Sequence, residues 1–276
     1  MKKIVFLFVI GLGMFQIANS QTIELIGKGV LNENIATITF TDHSSVDYVV
    51  VEAAAVFRND LTPKQVNFTD SNDNYKVDFN LAEQDFAPGI TNGNDQKWGY
   101  YTAIFYDVDA GGITLDKMGQ GENILSFTAY VYRNESNSDI YSEVEYDHAF
   151  FFHNGAADPL TYNFTLPWSS EPRDIEVVVP ISELTEDGRY VNLRLTAGSL
   201  TLPLEFDSNN KGELLNLQTI VLNNVPGDIT DVSLYIYSPK LVPDGKVGDS
   251  FVTGAILLTT TFNSGCTHTQ GYWKTH

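Results

Sequence analysis

The chain has 276 residues, with 16 Lys plus Arg against 35 Asp plus Glu, a formal net charge of −19 at pH 7. A surface this acidic repels phosphates and anionic lipid heads, which excludes nucleic-acid or membrane binding through a basic patch. Hydrophobic residues make up 43% and aromatics 12%, enough apolar surface for one or two packed domains, which excludes disorder.

The chain opens with Lys2 and Lys3, an apolar run from Ile4 to Phe15, and small residues at Ala18 and Ser20. This is the three-part pattern of a secretory signal, residues 1–20, with cleavage expected before Gln21. The apolar run falls short of the roughly 20 residues that span a bilayer. Its removal takes away Lys2 and Lys3 and no acid, so the net charge of −19 becomes −21. No later stretch is long and apolar enough for a membrane span, so a secreted or cell-surface protein is expected. The lone cysteine, Cys266, leaves the fold to be held by its core rather than by internal disulfides.

Alternation of apolar and polar residues, the period of a strand with one buried face, runs through nearly the whole chain. In the first half it predicts strands at Ile23 to Val30, Ile35 to Phe40, Val46 to Phe57, Tyr75 to Leu81, Trp98 to Asp107, Ile124 to Tyr132 and Tyr141 to Phe152. Val46 to Phe57 is almost continuously apolar, as in a central strand covered on both faces. Helical periodicity is confined to single turns at Leu81 to Phe86 or Ile181 to Thr185.

The second half alternates more cleanly, with Ile175, Val177, Val179 and Ile181 on one face of a strand and Val191, Leu193 and Leu195 on one face of the next. Leu200, Leu202, Leu204 and Phe206 continue the pattern, and further strands are predicted at Tyr162 to Leu166, Leu215 to Leu222, Val232 to Tyr237 and Phe251 to Phe262. Pro180 and Pro203 are expected at edges or bulges, because proline cannot donate to a ladder. The expected fold class is all-β, two β-sandwich domains in tandem, immunoglobulin-like or jelly-roll-like. The first domain is drawn at 21–159, a second, immunoglobulin-like one at 160–262, and a tail at 263–276. Paired tyrosines, Tyr130 and Tyr132 and then Tyr235 and Tyr237, echo one another as in a duplication; Tyr also simply favours half-buried sheet surfaces.

Four groups of residues are candidates for chemistry. Asp107, Asp109 and Asp116 surround Gly111 and Gly112, and carboxylates in a glycine-containing loop can converge on Ca²⁺. The stretch Asp70-Ser71-Asn72-Asp73-Asn74 has similar oxygen density, although Asp and Gly also occupy such positions simply to make turns. Trp98, Tyr100, Tyr101 and Trp168 could stack on sugar rings, or fill core and interdomain space. His148 and His153 have opposite parity on a strand and cannot share a ligand there. Cys266, His268 and His276 match no zinc spacing. Nucleophile-elbow, metalloprotease, Walker and dinucleotide motifs are absent, whereas the two carboxylates of a glycosidase cannot be screened for by sequence.

The tail Cys266-Thr-His-Thr-Gln-Gly-Tyr-Trp-Lys-Thr-His276 resembles the Cys-Thr-x-Thr-Gln-Gly-(Tyr/Phe)-Trp-Lys-Asn-His motif of uncharacterised secreted and surface proteins of Bacteroidetes-like bacteria. Thr275 departs from the usual Asn. The resemblance implies a secreted or surface location; in such proteins the motif opens a further segment, so a chain truncated at His276 is expected, with Cys266 either paired to a cysteine of the missing segment or without a partner. It implies no activity. Asp249-Ser250-Phe251 similarly resembles the short O-glycosylation acceptor of such proteins. The expectation is a non-enzymatic surface protein with an adhesive or structural role, with an extracellular glycan-binding module as the alternative and a glycoside-active enzyme third. Glycans or surface proteins are the expected partners, and no cofactor is expected apart from Ca²⁺.

Overall fold

The computed structural model describes residues 21–40, 42, 44–58, 65–78, 96–108, 111–118, 122–134, 139–147, 149–151, 159–182, 189–207, 214–238, 247–248 and 251–261. Among these every regular element is a strand, and no helix is long and apolar enough to cross a membrane. The predicted turn at Leu81 to Phe86 lies outside the described residues, and Ile181 continues a strand.

The first eight strands are β1 (Gln21–Gly29), β2 (Ile35–Ile38), β3 (Val46–Arg58), β4 (Gln65–Thr69), β5 (Asn74–Asp78), β6 (Gln96–Tyr106), β7 (Ile113–Asp116) and β8 (Glu122–Asn134). They pair as nested antiparallel couples, β4 with β5, β3 with β6, β2 with β7 and β1 with β8. Rolling this long four-pair hairpin brings β3 against β8 and β4 against β7. The result is two sheets, β1-β8-β3-β6 and β2-β7-β4-β5, an eight-stranded jelly roll. Its core is set by alternation. Val49, Val51, Ala53 and Ala55 of β3, Tyr101 and Phe105 of β6 and Phe127 of β8 point inward to meet Phe68 and Leu115 from the other sheet. Phe68 and Phe127 stack across the gap with centroids 5.8 Å apart.

The rest of the chain repeats the plan with β9 (Ile140–Glu145), β10 (Ala149–Phe151), β11 (Leu160–Thr165), β12 (Arg173–Ser182), β13 (Arg189–Ala197), β14 (Leu200–Asp207), β15 (Leu215–Val225), β16 (Asp231–Tyr237), β17 (Val247–Gly248), β18 (Phe251–Thr253) and β19 (Ile256–Thr261). Counting β9 with β10, and β18 with β19, as two broken strands, the nested couples are β13 with β14, β12 with β15, β11 with β16, and β9/β10 with β18/β19. One sheet is β11-β16-β13-β14, to which two-residue β17 adds in parallel; in the other, β12 pairs β15 on one side and β19 and β18 on the other. This is a second jelly roll of the same strand order, so the immunoglobulin-like expectation for this half is corrected.

Two other expectations change. Tyr141 to Phe152, placed in the first domain, belongs to the second, because Ile140–Glu145 pairs with β19 and Ala149–Phe151 with β18. The boundary therefore falls between Asn134 and Ile140 rather than at 159/160. The tyrosine echo is not a mark of equivalent strands: Tyr130 and Tyr132 lie on the eighth strand of their roll and Tyr235 and Tyr237 on the seventh of theirs. Proline placement holds. Pro203 lies on β14, which pairs with β13 at the sheet end, and Pro180 stands where β12 passes from β19 to β18, with its carbonyl accepting Gly254 N–H at 3.1 Å.

The sheets β1-β8-β3-β6 and β15-β12-β18/β19 pack back to back, so four layers are stacked. Ala54, Val56, Tyr100 and Leu125 of the first roll cluster with Val252 of the second, and Val50, Tyr130 and Tyr132 cluster with Ala255 and Tyr146. The break at Gly254 and Ala255 frees peptide groups that the first roll then satisfies. Glu52 Oε2 accepts Ala255 N–H at 3.3 Å, Tyr130 Oη donates to Ala255 O at 2.8 Å, and Tyr100 Oη donates to Thr253 O. Ser182 Oγ donates to Ser126 Oγ at 2.7 Å with both residues buried.

Candidate functional site

Of the four aromatic candidates, two are interior. Tyr101 points into the first core and is fully buried, while Tyr100, its strand neighbour, points the opposite way into the junction at 2% exposure. Neither offers a ring face to a ligand, which corrects the stacking-platform expectation for both. Burial raises the Tyr100 phenol well above its ordinary range, with the charge of Glu52 the next cause. Trp98 pairs by its backbone with Val56; its side chain lies outside the described residues, as do Asp109 and Cys266.

Trp168 is different. It is 57% exposed and stands in the turn after β11, held by several bonds to the backbone. Arg173, buried at the start of β12, donates from Nη1 to Pro167 O at 2.5 Å and from Nη2 to Ile229 O at 3.0 Å. Ser169 N–H donates to Gly227 O at 3.0 Å and Ser169 Oγ to Glu171 O at 2.8 Å. Gly227 is required there, since a Cβ would stand 2.1 Å from Ser169 O. Desolvation lowers the Arg173 pKa. A buried guanidinium spent on two loop carbonyls is a device for fixing a backbone, and this backbone presents an indole to solvent. Sequence reasoning marked Trp168 and missed Arg173; an Arg opening an otherwise alternating apolar strand was the available signal.

A second aromatic surface was not foreseen. Tyr106, Tyr48 and Tyr132 are register neighbours across β6, β3 and β8. Tyr48 stacks on Tyr132 at 4.2 Å and 15°, and Tyr106 tilts against Tyr48 at 6.0 Å and 43°. Tyr132 Oη meets Tyr146 Oη at 2.6 Å. The row starts in solvent, with Tyr106 59% exposed and Ile104 beside it, and ends at the junction. Burial pushes the Tyr132 phenol up to about 12.

The acidic loops meet only in part. Asp70 Oδ1 accepts the N–H groups of Asn72 and Asp73 at 2.8 and 2.6 Å, closing the β4–β5 turn. Asn72 Nδ2 donates to Asp107 O at 3.1 Å, which ties this turn to the β6–β7 loop. Gly112, at φ 88°, packs against the Ile38 carbonyl, where a Cβ would stand 1.8 Å from the oxygen. Asp70 and Asp116 border an open cavity of about 420 Å³ on the outer face of β2-β7-β4-β5, while Asp107 is exposed and does not line it. Among the described residues no three His, Cys, Asp or Glu side chains converge as a metal cage.

No family model matches the chain, and no curated protein matches it. Solved structures with a similar chain trace include the infectious bursal disease virus VP2 subviral particle, at 14% identity over 91% of this chain and 73% of that one, TM-score 0.31. PNGase F, a glycosylasparaginase from Flavobacterium meningosepticum, is 13% identical over 88% of this chain and 97% of that one, TM-score 0.30. The CBM22-1–CBM22-2 tandem domain of Paenibacillus barcinonensis Xyn10C is 8% identical over 86% and 92%, TM-score 0.27. At such identities and scores these likenesses say nothing of what this chain binds or catalyses. The class defined by the fold is a tandem jelly-roll protein.

Proposed function

We propose that this is a secreted or cell-surface, non-enzymatic protein with an adhesive role, in which two jelly rolls joined by a bonded junction form a stiff body and Trp168 makes the contact with a glycan. The observation that carries the reading is Trp168 itself. Exposing an indole to water forgoes about 1.5–3 kcal/mol of burial, and here the loop that exposes it is braced by a buried arginine. An apolar ring face fixed before binding is suited to stacking on the C–H face of a sugar, because little ordering remains to be done when the ligand arrives. The secretory signal and the acidic surface fit a protein that works outside the cell on neutral ligands.

A glycan array probed with the wild-type chain and with Trp168→Ala and Trp168→Phe tests this. Binding reduced tenfold or more by Ala and partly kept by Phe is the expected result. No glycan binding overturns the glycan reading, and binding indifferent to Trp168 overturns Trp168 as its contact. Tyr106→Ala serves as the second arm, since the Tyr106-Tyr48-Tyr132 row is the other solvent-facing aromatic surface. Loss there alone would move the contact to the row.

A further inference from the structure

We infer that the cavity on the outer face of β2-β7-β4-β5 is a calcium site, with Asp70, Asn67 and Asp116 as its protein ligands. Its lining includes Asn67, Thr69, Asp70, Thr114 and Asp116. Cross-strand register explains their meeting. Asn67 lies opposite Asp116, and Thr69 opposite Thr114, in the β4–β7 pairing, and alternation sends all four side chains away from the core that Val66, Phe68, Ile113 and Leu115 occupy. Asp70 follows in the turn at the end of the same strand.

Two oxygens in this set are buried and lack a partner. Asp70 is only 8% exposed. Its Oδ1 holds the turn, and its Oδ2 is left with no hydrogen bond. Asn67 donates through Nδ2 to Thr69 Oγ1 at 3.1 Å, which leaves its Oδ1 buried and unpartnered beside Asp116. A buried acceptor without a donor is costly and rare in a folded protein. Both unsatisfied atoms are acceptors on residues that line one cavity, where Asp116 adds a second carboxylate, and a cation is a single group that would satisfy them together. Lys76, opposite Asn67 in the β4–β5 register, is exposed and does not line the cavity, and Lys117, next to Asp116 in the chain, donates to Leu31 O at 3.1 Å.

The donor set selects the ion. Carboxylate, amide and hydroxyl oxygens are hard ligands, with no imidazole or thiolate to favour zinc. An open cavity with room for several waters suits the six to eight ligands and loose geometry of Ca²⁺ better than the strict octahedron of Mg²⁺. Two carboxylates place the affinity in the range of extracellular modules, with Kd on the order of 10⁻⁴–10⁻³ M. Such a site is filled outside the cell and empty in the cytosol, which matches the secretory signal. Asp107, one of the residues singled out by sequence, contributes here only its backbone carbonyl to Asn72.

The test is the melting temperature of the full chain, stripped with chelator and then titrated with CaCl₂ to 10 mM, with MgCl₂ and ionic-strength-matched NaCl as controls. A rise of about 3–10 °C with Ca²⁺, smaller with Mg²⁺, is expected, and Asp116→Asn and Asp70→Asn each abolish it. No calcium-specific rise in the wild type overturns the site. A rise that survives Asp116→Asn also overturns it, because it assigns the ion to other acids on this highly charged surface. Asp70→Asn risks the fold through the turn it closes; Asp116→Asn, a near-isosteric change on the outer face of a strand, then decides alone.

Discussion

The two sheets of the first jelly roll share a core but meet opposite surroundings on their outer faces. In β2-β7-β4-β5 the outward side chains are Ile35, Thr37, Asn67, Thr69, Thr114 and Asp116, half-buried or exposed and mostly polar. In β1-β8-β3-β6 the outward residues Val50, Glu52, Ala54 and Val56 are all buried, the least so at 6%. Both are strands of one sandwich, so their inner faces do not explain the contrast. What differs is that the second roll covers these β3 positions, while water covers the other sheet and, at the β6 edge of this one, Ile104 and Tyr106. A continuous apolar run is therefore the signature of a strand between two layers, as Val46 to Phe57 illustrates, and clean alternation that of a strand with one wet face.

The sharpest way to break this comparison is a charge on each kind of face. Ala54→Asp puts an unpaired carboxylate into the junction and is expected to destabilise the protein by about 3–5 kcal/mol. Thr161→Asp, on the exposed outer face of β11, should stay within about 0.5 kcal/mol. Urea unfolding of both variants checks this, and equal costs would mean that the junction is not closed. Next come the bonds across it. Tyr130→Phe strips Ala255 O of its donor and Glu52→Ala strips Ala255 N–H of its acceptor, each at about 1–3 kcal/mol. A double-mutant cycle should show the two changes to be non-additive, since both act on one residue.

The junction tyrosines provide a pH test. Burial, ahead of other causes, raises Tyr132 to about 12 and moves Tyr100 and Tyr130 well up. The folded state then keeps phenolic protons that the unfolded chain releases above its ordinary pKa of about 10. This stabilisation is complete below about pH 10 and is lost as pH rises through 12. Tyrosinate absorbance from these residues should therefore appear together with alkaline unfolding; a smooth titration ahead of unfolding would place them in water. The smallest effect belongs to the surface. Lys28 and Glu33 pair at 2.8 Å with both side chains well exposed, and Lys28→Ala should cost less than about 1 kcal/mol, a loss that added salt further reduces.

Much of the fold was legible because a strand writes its period into the sequence. The inward sets Ile175, Val177, Val179 and Ile181, or Val191, Leu193 and Leu195, are the core of the second roll. Of the strands that went unseen, Gln65–Thr69 and Ile113–Asp116 bury only Val66 and Phe68, and Ile113 and Leu115, too few to stand out as a period, and Val247–Gly248 has only two residues. Two others looked continuous and are broken, because Gly254 and Ala255 sit in an apolar stretch whose bulge is stabilised by side chains of the other roll. The candidate sites were less legible. Tyr100 and Tyr101 share a composition signal with Trp168, yet only the indole faces water. Asp70 and Asp116, far apart in the chain, meet through the register of β4 and β7.

The sequence alone determined that the chain is rich in strands and which residue parity of each strand turns inward. These are local properties, set by the two-residue repeat of an extended backbone and by short-range composition. Only the tertiary structure decided that both halves are jelly rolls, that the boundary lies between Asn134 and Ile140, and which outward faces are covered. Strand pairing and layer stacking depend on partners distant in the chain, and an apolar outer face reads the same in sequence whether a core, a neighbouring sheet or a ligand covers it.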